Sequence, residues 1–92
     1  MSDDLGIKLD RLSARPLFEQ LTDALRARIL DGSIPPDRKI PTEQALAKSL
    51  DVGRSTVIRA VTQLRDEGLL VFVPGRGGYT NTADKIAKIK RA

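Results

Sequence analysis

TEQALAKSLDVGRSTVIRAVTQLRDEG, residues 42–68, is the stretch on which the fold turns. Thr42 is a residue type that caps helix starts, because its side-chain oxygen can accept a bond from an unpaired backbone N–H in the first turn. Ala45, Leu46 and Leu50 follow as the apolar positions of a short helix. Asp51-Val52-Gly53 reads as a tight turn. A longer helix is predicted from Arg54 to Glu67, ending at Gly68, with Val57, Ala60, Val61 and Leu64 on its buried side.

Upstream, Pro16 suits the first turn of a helix, where a missing N–H is no loss. Leu17, Leu21, Leu25 and Ile29 then recur every fourth residue, with Phe18 beside them, making one apolar stripe. Asp31-Gly32-Ser33 stops this helix and Pro35-Pro36 prevents its resumption. Arg38-Lys39-Ile40-Pro41 is expected to be extended, since proline disfavours helical angles in its predecessor. Residues 1–14 mix charge and glycine without a clear period and read as a flexible N-terminal arm.

Downstream, Leu69 to Val73 is a β-favouring run, Pro74-Gly75-Arg76-Gly77-Gly78 is turn material, and Tyr79-Thr80-Asn81 can return as a second strand. The result is a hairpin with a glycine-rich, cationic tip. Residues 82–92 are a basic tail or a short helix, with Thr82 as cap and Ile86 and Ile89 as its apolar positions. A helix there adds an edge to the core, a dimer contact or a phosphate-binding segment; a frayed end is the plain reading.

Three helices followed by a hairpin make a mainly α fold with a small β-hairpin, a winged helix-turn-helix. With Val57 inward and about 100° per residue, Ser55, Arg59, Thr62 and Asp66 fall on the far side of the third helix, flanked by Arg54, Ile58 and Arg65. The start of that helix offers Arg54, Ser55 and Thr56. A recognition helix inserts its N-terminal residues into the DNA major groove, and an arginine fork can bond guanine O6 and N7 together. Taken alone, these are ordinary solvated charges and first-turn residues; the short helix before and the basic hairpin after favour DNA. At the hairpin tip, Arg76 among glycines suits a minor groove or a flanking phosphate, and a bare tight turn is the rival reading.

Composition supports this and removes most alternatives. Of 92 residues, 16 are basic and 12 acidic, for a net charge of +4. Residues 1–37 carry −2 and residues 38–92 carry +6, so the half containing the helix pair and hairpin favours a polyanion. No cysteine or histidine is present. Disulfides, thiolate or imidazole metal ligands and the commonest nucleophiles and bases are therefore missing, and no phosphate-cradling loop replaces them. Asp66 and Glu67 are adjacent and point different ways, so they form no facing carboxylate pair. No apolar run approaches the roughly 20 residues of a membrane span, and the N-terminus lacks the apolar centre of a secretory signal. The expectation is no enzyme, no cofactor, no metal and no membrane, with the cytoplasm and its nucleoid as location.

Beyond the pattern, the residues resemble a known family. Pro16-Leu17-Phe18-Glu19-Gln20-Leu21, Gly32-Ser33-Ile34-Pro35-Pro36, Ile40 to Ala47, Val52 to Val57, Glu67-Gly68-Leu69-Leu70 and Pro74-Gly75-Arg76-Gly77 resemble, in order and spacing over about 12–80, the DNA-binding domain of GntR-family transcription regulators. The resemblance implies a bacterial, repressor-type DNA binder, usually dimeric, on a near-palindromic operator. By position it assigns DNA contacts to Thr42, Glu43 and Gln44, to Arg54, Ser55 and Thr56, and to Gly75, Arg76 and Gly77 at the wing tip; Gly53, Ile58 and Arg59, at the start and on the outer face of the third helix, are candidate contacts from the residues themselves. The sequence departs from the family at Gln44 and Ile58, where arginine is common, and at Gly53, where serine or threonine is. Ile58 suits an apolar contact with a thymine methyl instead. Family members normally add a C-terminal effector domain; the matching residues end near 80, so no small-molecule effector site carries over.

The combined expectation is a DNA-binding domain over 15–81 that regulates transcription from double-stranded DNA, with a homodimer as the natural stoichiometry. Two rivals use the same fold: a DNA-binding accessory factor in recombination, replication or plasmid maintenance, and a winged-helix protein-interaction module.

Overall fold

The four-residue recurrence of leucine and isoleucine builds the first helix of the structure, a computed structural model that describes residues 5–91. This helix, α1 (Leu17–Leu30), buries Leu21, Leu25 and Ile29, and Pro16 precedes it as N-cap with extended angles. Pro16 thus stands one residue outside the helix, and its carbonyl still accepts from Glu19 and Gln20 N–H. At the other end Gly32 takes φ +85°, and Ile34 N–H returns to the Arg28 carbonyl at 2.9 Å, which satisfies an end group and turns the chain back.

The helix pair forms as the sequence predicts. In α2 (Glu43–Leu50) the Thr42 hydroxyl oxygen accepts from Ala45 N–H at 3.1 Å, and Leu46 and Leu50 are buried. In α3 (Arg54–Asp66) the buried residues are Val57, Ala60, Val61 and Leu64. The residue that bends the chain between them is Asp51, with φ +54°, while Gly53 has φ −65°. Aspartate tolerates left-handed angles better than most side chains, so it can reverse the chain where glycine is not used for that purpose.

The hairpin comprises β1 (Leu70–Val73) and β2 (Gly77–Thr80), antiparallel, with Val71 opposite Tyr79 and Val73 opposite Gly77. Arg76 N–H reaches the Val73 carbonyl at 2.9 Å and Gly75 has φ +76°. Proline second and a positive-φ glycine third is the pattern of a type II turn. The extended piece at 38–40 pairs with the other edge of β2, through Ile40 N–H to Gly78 O at 3.0 Å and Thr80 N–H to Arg38 O at 2.9 Å. Thr80, fully buried, locks that junction: its hydroxyl donates to Pro35 O at 2.6 Å and accepts from Arg38 N–H at 2.8 Å. Gly78, counted with the tip glycines in the sequence, faces inward. A Cβ there would sit 2.8 Å from the Phe72 ring, so a side chain is excluded by packing.

Two segments settle differently from a free end. Residues 5–13 pack on the body where the sequence suggested a flexible arm; residues 1–4 of that arm lie outside the described residues. Ile7 is buried in the core, Leu5 and Leu9 pack beside it, and the Arg11 guanidinium donates to the Leu50 and Asp51 carbonyls at 2.6 and 2.8 Å. Leu5, Ile7 and Leu9 supply the apolar contacts, with the chain turning at Leu5 and Gly6, both at positive φ. At the other end, α4 (Ala83–Arg91) buries Ile86 against the body and packs on α1, with Thr82 accepting from Lys85 N–H at 3.3 Å. Residue 92 of the predicted tail lies outside the described residues.

Candidate nucleic-acid interface

Burial of Val57, Ala60, Val61 and Leu64 fixes the rotation of α3 and leaves Arg54, Ser55, Ile58 and Arg59 exposed. Thr56 and Thr62 are half-buried. Ile58 is 40% exposed and gives this otherwise polar face an apolar side chain. The helix starts at Gly53 with no side-chain cap and no acidic residue in its first turn. Its N-terminal partial positive charge therefore adds to that of Arg54.

Among the described residues, Arg54, Arg59 and Arg76 make no hydrogen bond to a side chain and no ion pair with a carboxylate. Other arginines are committed. Arg26 forms a bidentate pair with Glu67 (Nε–Oε1 2.8 Å, Nη2–Oε2 2.5 Å) and also meets Asp23 at 2.8 Å. Arg15 holds the same Asp23, and Gln63 donates to Glu67 at 2.8 Å. The hydrogen bonds from Arg26 hold the Glu67 carboxyl below its ordinary value despite partial burial, and those from Arg15 and then Arg26 do so for Asp23. Arg15 and Arg26 are thus matched by carboxylates of the protein itself, whereas Arg54, Arg59 and Arg76 carry charge outward.

The start of α2 and the wing face each other. A cleft of about 210 Å³ is lined by Lys39, Thr42 and Glu43 on one side and by Phe72, Arg76 and Gly77 on the other. Thr42 accepts the α2 cap bond with one lone pair, and its hydroxyl hydrogen remains to donate to an outside acceptor. Gln44 is exposed on the first turn of α2 and lines none of the described clefts around the wing. At the tip, Gly75 has open space around it, and a Cβ on Gly77 would touch Lys39 Cε at 3.4 Å. The residues singled out from the sequence thus gather as two groups, Thr42 and Glu43 with Arg76 and Gly77 across a cleft, and Gly53, Arg54, Ser55, Ile58 and Arg59 along α3.

Two neighbours of these residues escaped the sequence. Lys39 adds a cation beside the wing through the strand-like pairing of 38–40, which no local pattern announced. Phe18 lies under Arg59, with the guanidinium carbon 3.7 Å from the ring centroid. The signal for it was an aromatic beside the apolar stripe of α1 rather than on it.

No group of three or more carboxylates, cysteines or histidines suited to a metal exists among the described residues, and none of their helices is long and apolar enough to cross a membrane.

Comparison with known proteins gives this geometry a setting. The family model described as "Bacterial regulatory proteins, gntR family" matches residues 17–79. The HTH-type transcriptional repressor NagR of Bacillus subtilis is 31% identical over 75 residues, 82% of this chain and 31% of NagR. The MngR repressor of Escherichia coli, a mannosyl-D-glycerate transport and metabolism system repressor, is 37% identical over 65 residues, and the match covers 27% of it. The chain therefore spans about a third or less of the length of these two relatives. Among solved structures, YtrA from Sulfolobus acidocaldarius, a GntR-family transcription factor, superposes with TM-score 0.76 at 34% identity, covering 83% of this chain and 80% of YtrA. The AraR DNA-binding domain, crystallised with operator ORX1, superposes with TM-score 0.70 at 34% identity, covering 80% and 92%.

Proposed function

Because the chain belongs to the GntR family of bacterial regulatory proteins, we propose that it binds double-stranded DNA sequence-specifically and represses transcription from the sites it occupies. The α3 helix enters the major groove with its first two turns. Arg54 reads a guanine edge through its fork, Ser55 and Thr56 bond phosphate or base, and Ile58 lies against a thymine methyl. Glu43 and Gln44 at the start of α2, with the Thr42 hydroxyl, and the wing with Gly75, Arg76 and Gly77, fix the register on the backbone. Phosphate contacts supply most of the affinity and base contacts the preference. Two copies on a near-palindromic operator in the cytoplasm complete the reading.

The observation that carries it is the pair of outward, carboxylate-free arginines at the start of α3, on a helix whose other side is fully buried. Selection from random duplex DNA tests it. An enriched inverted repeat is expected; enrichment of nothing would defeat the proposal. On the enriched duplex, Arg76→Ala weakens binding to every sequence alike and flattens the salt dependence, because it removes a phosphate contact rather than a base contact.

A further inference from the structure

Arg59 is the exposed α3 cation whose position the structure defines. Its guanidinium lies over the face of Phe18 of α1, its carbon 3.7 Å from the ring centroid, and meets no carboxylate among the described residues. The neighbouring contacts show which end of the molecule this is. Phe18 meets Arg59 and, eight residues on along both segments, Arg26 of α1 meets Glu67, the C-cap of α3. The two helices therefore run side by side in the same direction, and the Phe18–Arg59 stack stands at the end where α3 begins. A guanidinium stacked by its face keeps its N–H donors in the plane of the fork, pointing away from the ring. A long flexible arginine loses much rotamer freedom when it grips a phosphate; one already held on a ring loses less.

We propose that Phe18 is a positioning residue of the DNA interface: it holds the Arg59 guanidinium against α1 so that its free edge clamps one backbone phosphate beside the groove that α3 occupies. The inference rests on the DNA-binding reading above and extends the interface onto α1, which no base-reading residue does. Phe18 itself touches no DNA. The acceptor is the phosphodiester backbone, so the effect is independent of base sequence.

The test uses the full chain, the duplex enriched by selection and an unrelated duplex of equal length, with affinity followed against salt. Arg59→Ala is expected to weaken both duplexes about tenfold and to lower the slope of log K on log salt by about 0.9, the value for one phosphate on a duplex. Phe18→Leu keeps apolar volume and removes the ring face; a loss of about two- to fivefold is expected, as for an exposed cation–π contact. Phe18→Tyr and Phe18→Trp restore wild-type affinity, and Phe18→Leu with Arg59→Ala together are no weaker than Arg59→Ala alone. Arg59→Lys keeps the slope but loses affinity, and this arm holds even if Phe18→Leu fails to fold. An unchanged salt slope in Arg59→Ala overturns the proposal, as do losses that add in the double variant. If Arg54→Ala also leaves sequence preference intact, the DNA-binding reading itself falls; if preference depends on Arg54 and only the Arg59 arms fail, the clamp alone is wrong.

Discussion

At the C-terminal end of α3, charge is paired within the protein. Glu67 accepts two bonds from Arg26 and one from Gln63, and Leu64 beneath is fully buried. Within the first two turns the arrangement reverses: Arg54 and Arg59 have no carboxylate among the described residues, Ser55 is exposed, and Ile58 shows 40% of its surface. Both halves of the helix bury an apolar side, Val57 and Ala60 early and Val61 and Leu64 late; the ends differ on the outer side, which is braced by Arg26 and Glu67 at the far end and left open at the near end. The lesson is a partition of faces: substitutions on the buried side are read as stability, and those on the open side of the first two turns as tests of recognition.

The sharpest way to break that partition is to delete apolar side chains at matched positions. Leu64→Ala should destabilise the fold by about 2–5 kcal/mol, since it empties a fully buried site. Ile58→Ala, on the exposed face, should cost no more than about 0.5 kcal/mol. Urea unfolding of the two variants decides it; comparable losses would mean that Ile58 is anchored after all. The next largest effect is on binding. Arg54→Ala should forfeit about 1–3 kcal/mol of discrimination at one base position of the selected duplex while leaving the urea midpoint unchanged. A shifted midpoint with intact preference would place Arg54 among the structural cations.

The braced end predicts a pH dependence. Glu67 is held below its ordinary value chiefly by the hydrogen bonds from Arg26, so its ionised form is the one the fold favours. A carboxyl lowered on folding contributes stability at pH above its unfolded value, roughly 4.3, and the contribution disappears as pH falls through the lowered folded value. Stability should therefore drop as the solution is acidified from about pH 5 towards 3, and less so in Glu67→Gln. At neutral pH, Arg26→Ala should cost about 1 kcal/mol, the range of a bidentate pair still partly open to water. Equal acid sensitivity in the wild type and Glu67→Gln would assign it to other carboxylates.

How far the sequence announced all this follows the range of its signals. The order of helices, the α2 cap at Thr42 and the buried side of α3 are local periodicities, and they were legible with bounds good to a residue or so. The packed segment at 5–13 was legible in principle, in Leu5, Ile7 and Leu9, but three apolar residues among charges are a weak pattern without the surface they cover. The pairing of 38–40 with β2 and the Thr80 lock join residues about 40 apart, and no local rule connects them. The same holds for Phe18 beneath Arg59. A glycine misled in one place: Gly78 serves packing rather than the open tip.

Gly53 gives the smallest effect and the finest test of the contrast between the two ends. Its φ of −65° lies where any residue is comfortable, and a Cβ there would meet only Ser55 Oγ, at 3.8 Å. No left-handed angle and no close approach therefore demands glycine. It is nonetheless the N-cap of α3, and it offers no side chain to the unpaired N–H groups of the first turn. Gly53→Ser should supply that acceptor and also reduce the freedom of the unfolded chain, for a gain of about 0.5–1 kcal/mol. In a domain of this size that raises the melting temperature by about 2–8 °C. If the near end of α3 is under-braced because it is kept for reading DNA, the added cap should stabilise the fold without altering the preferred duplex. A lowered melting temperature would mean instead that the start of α3 depends on glycine for its shape.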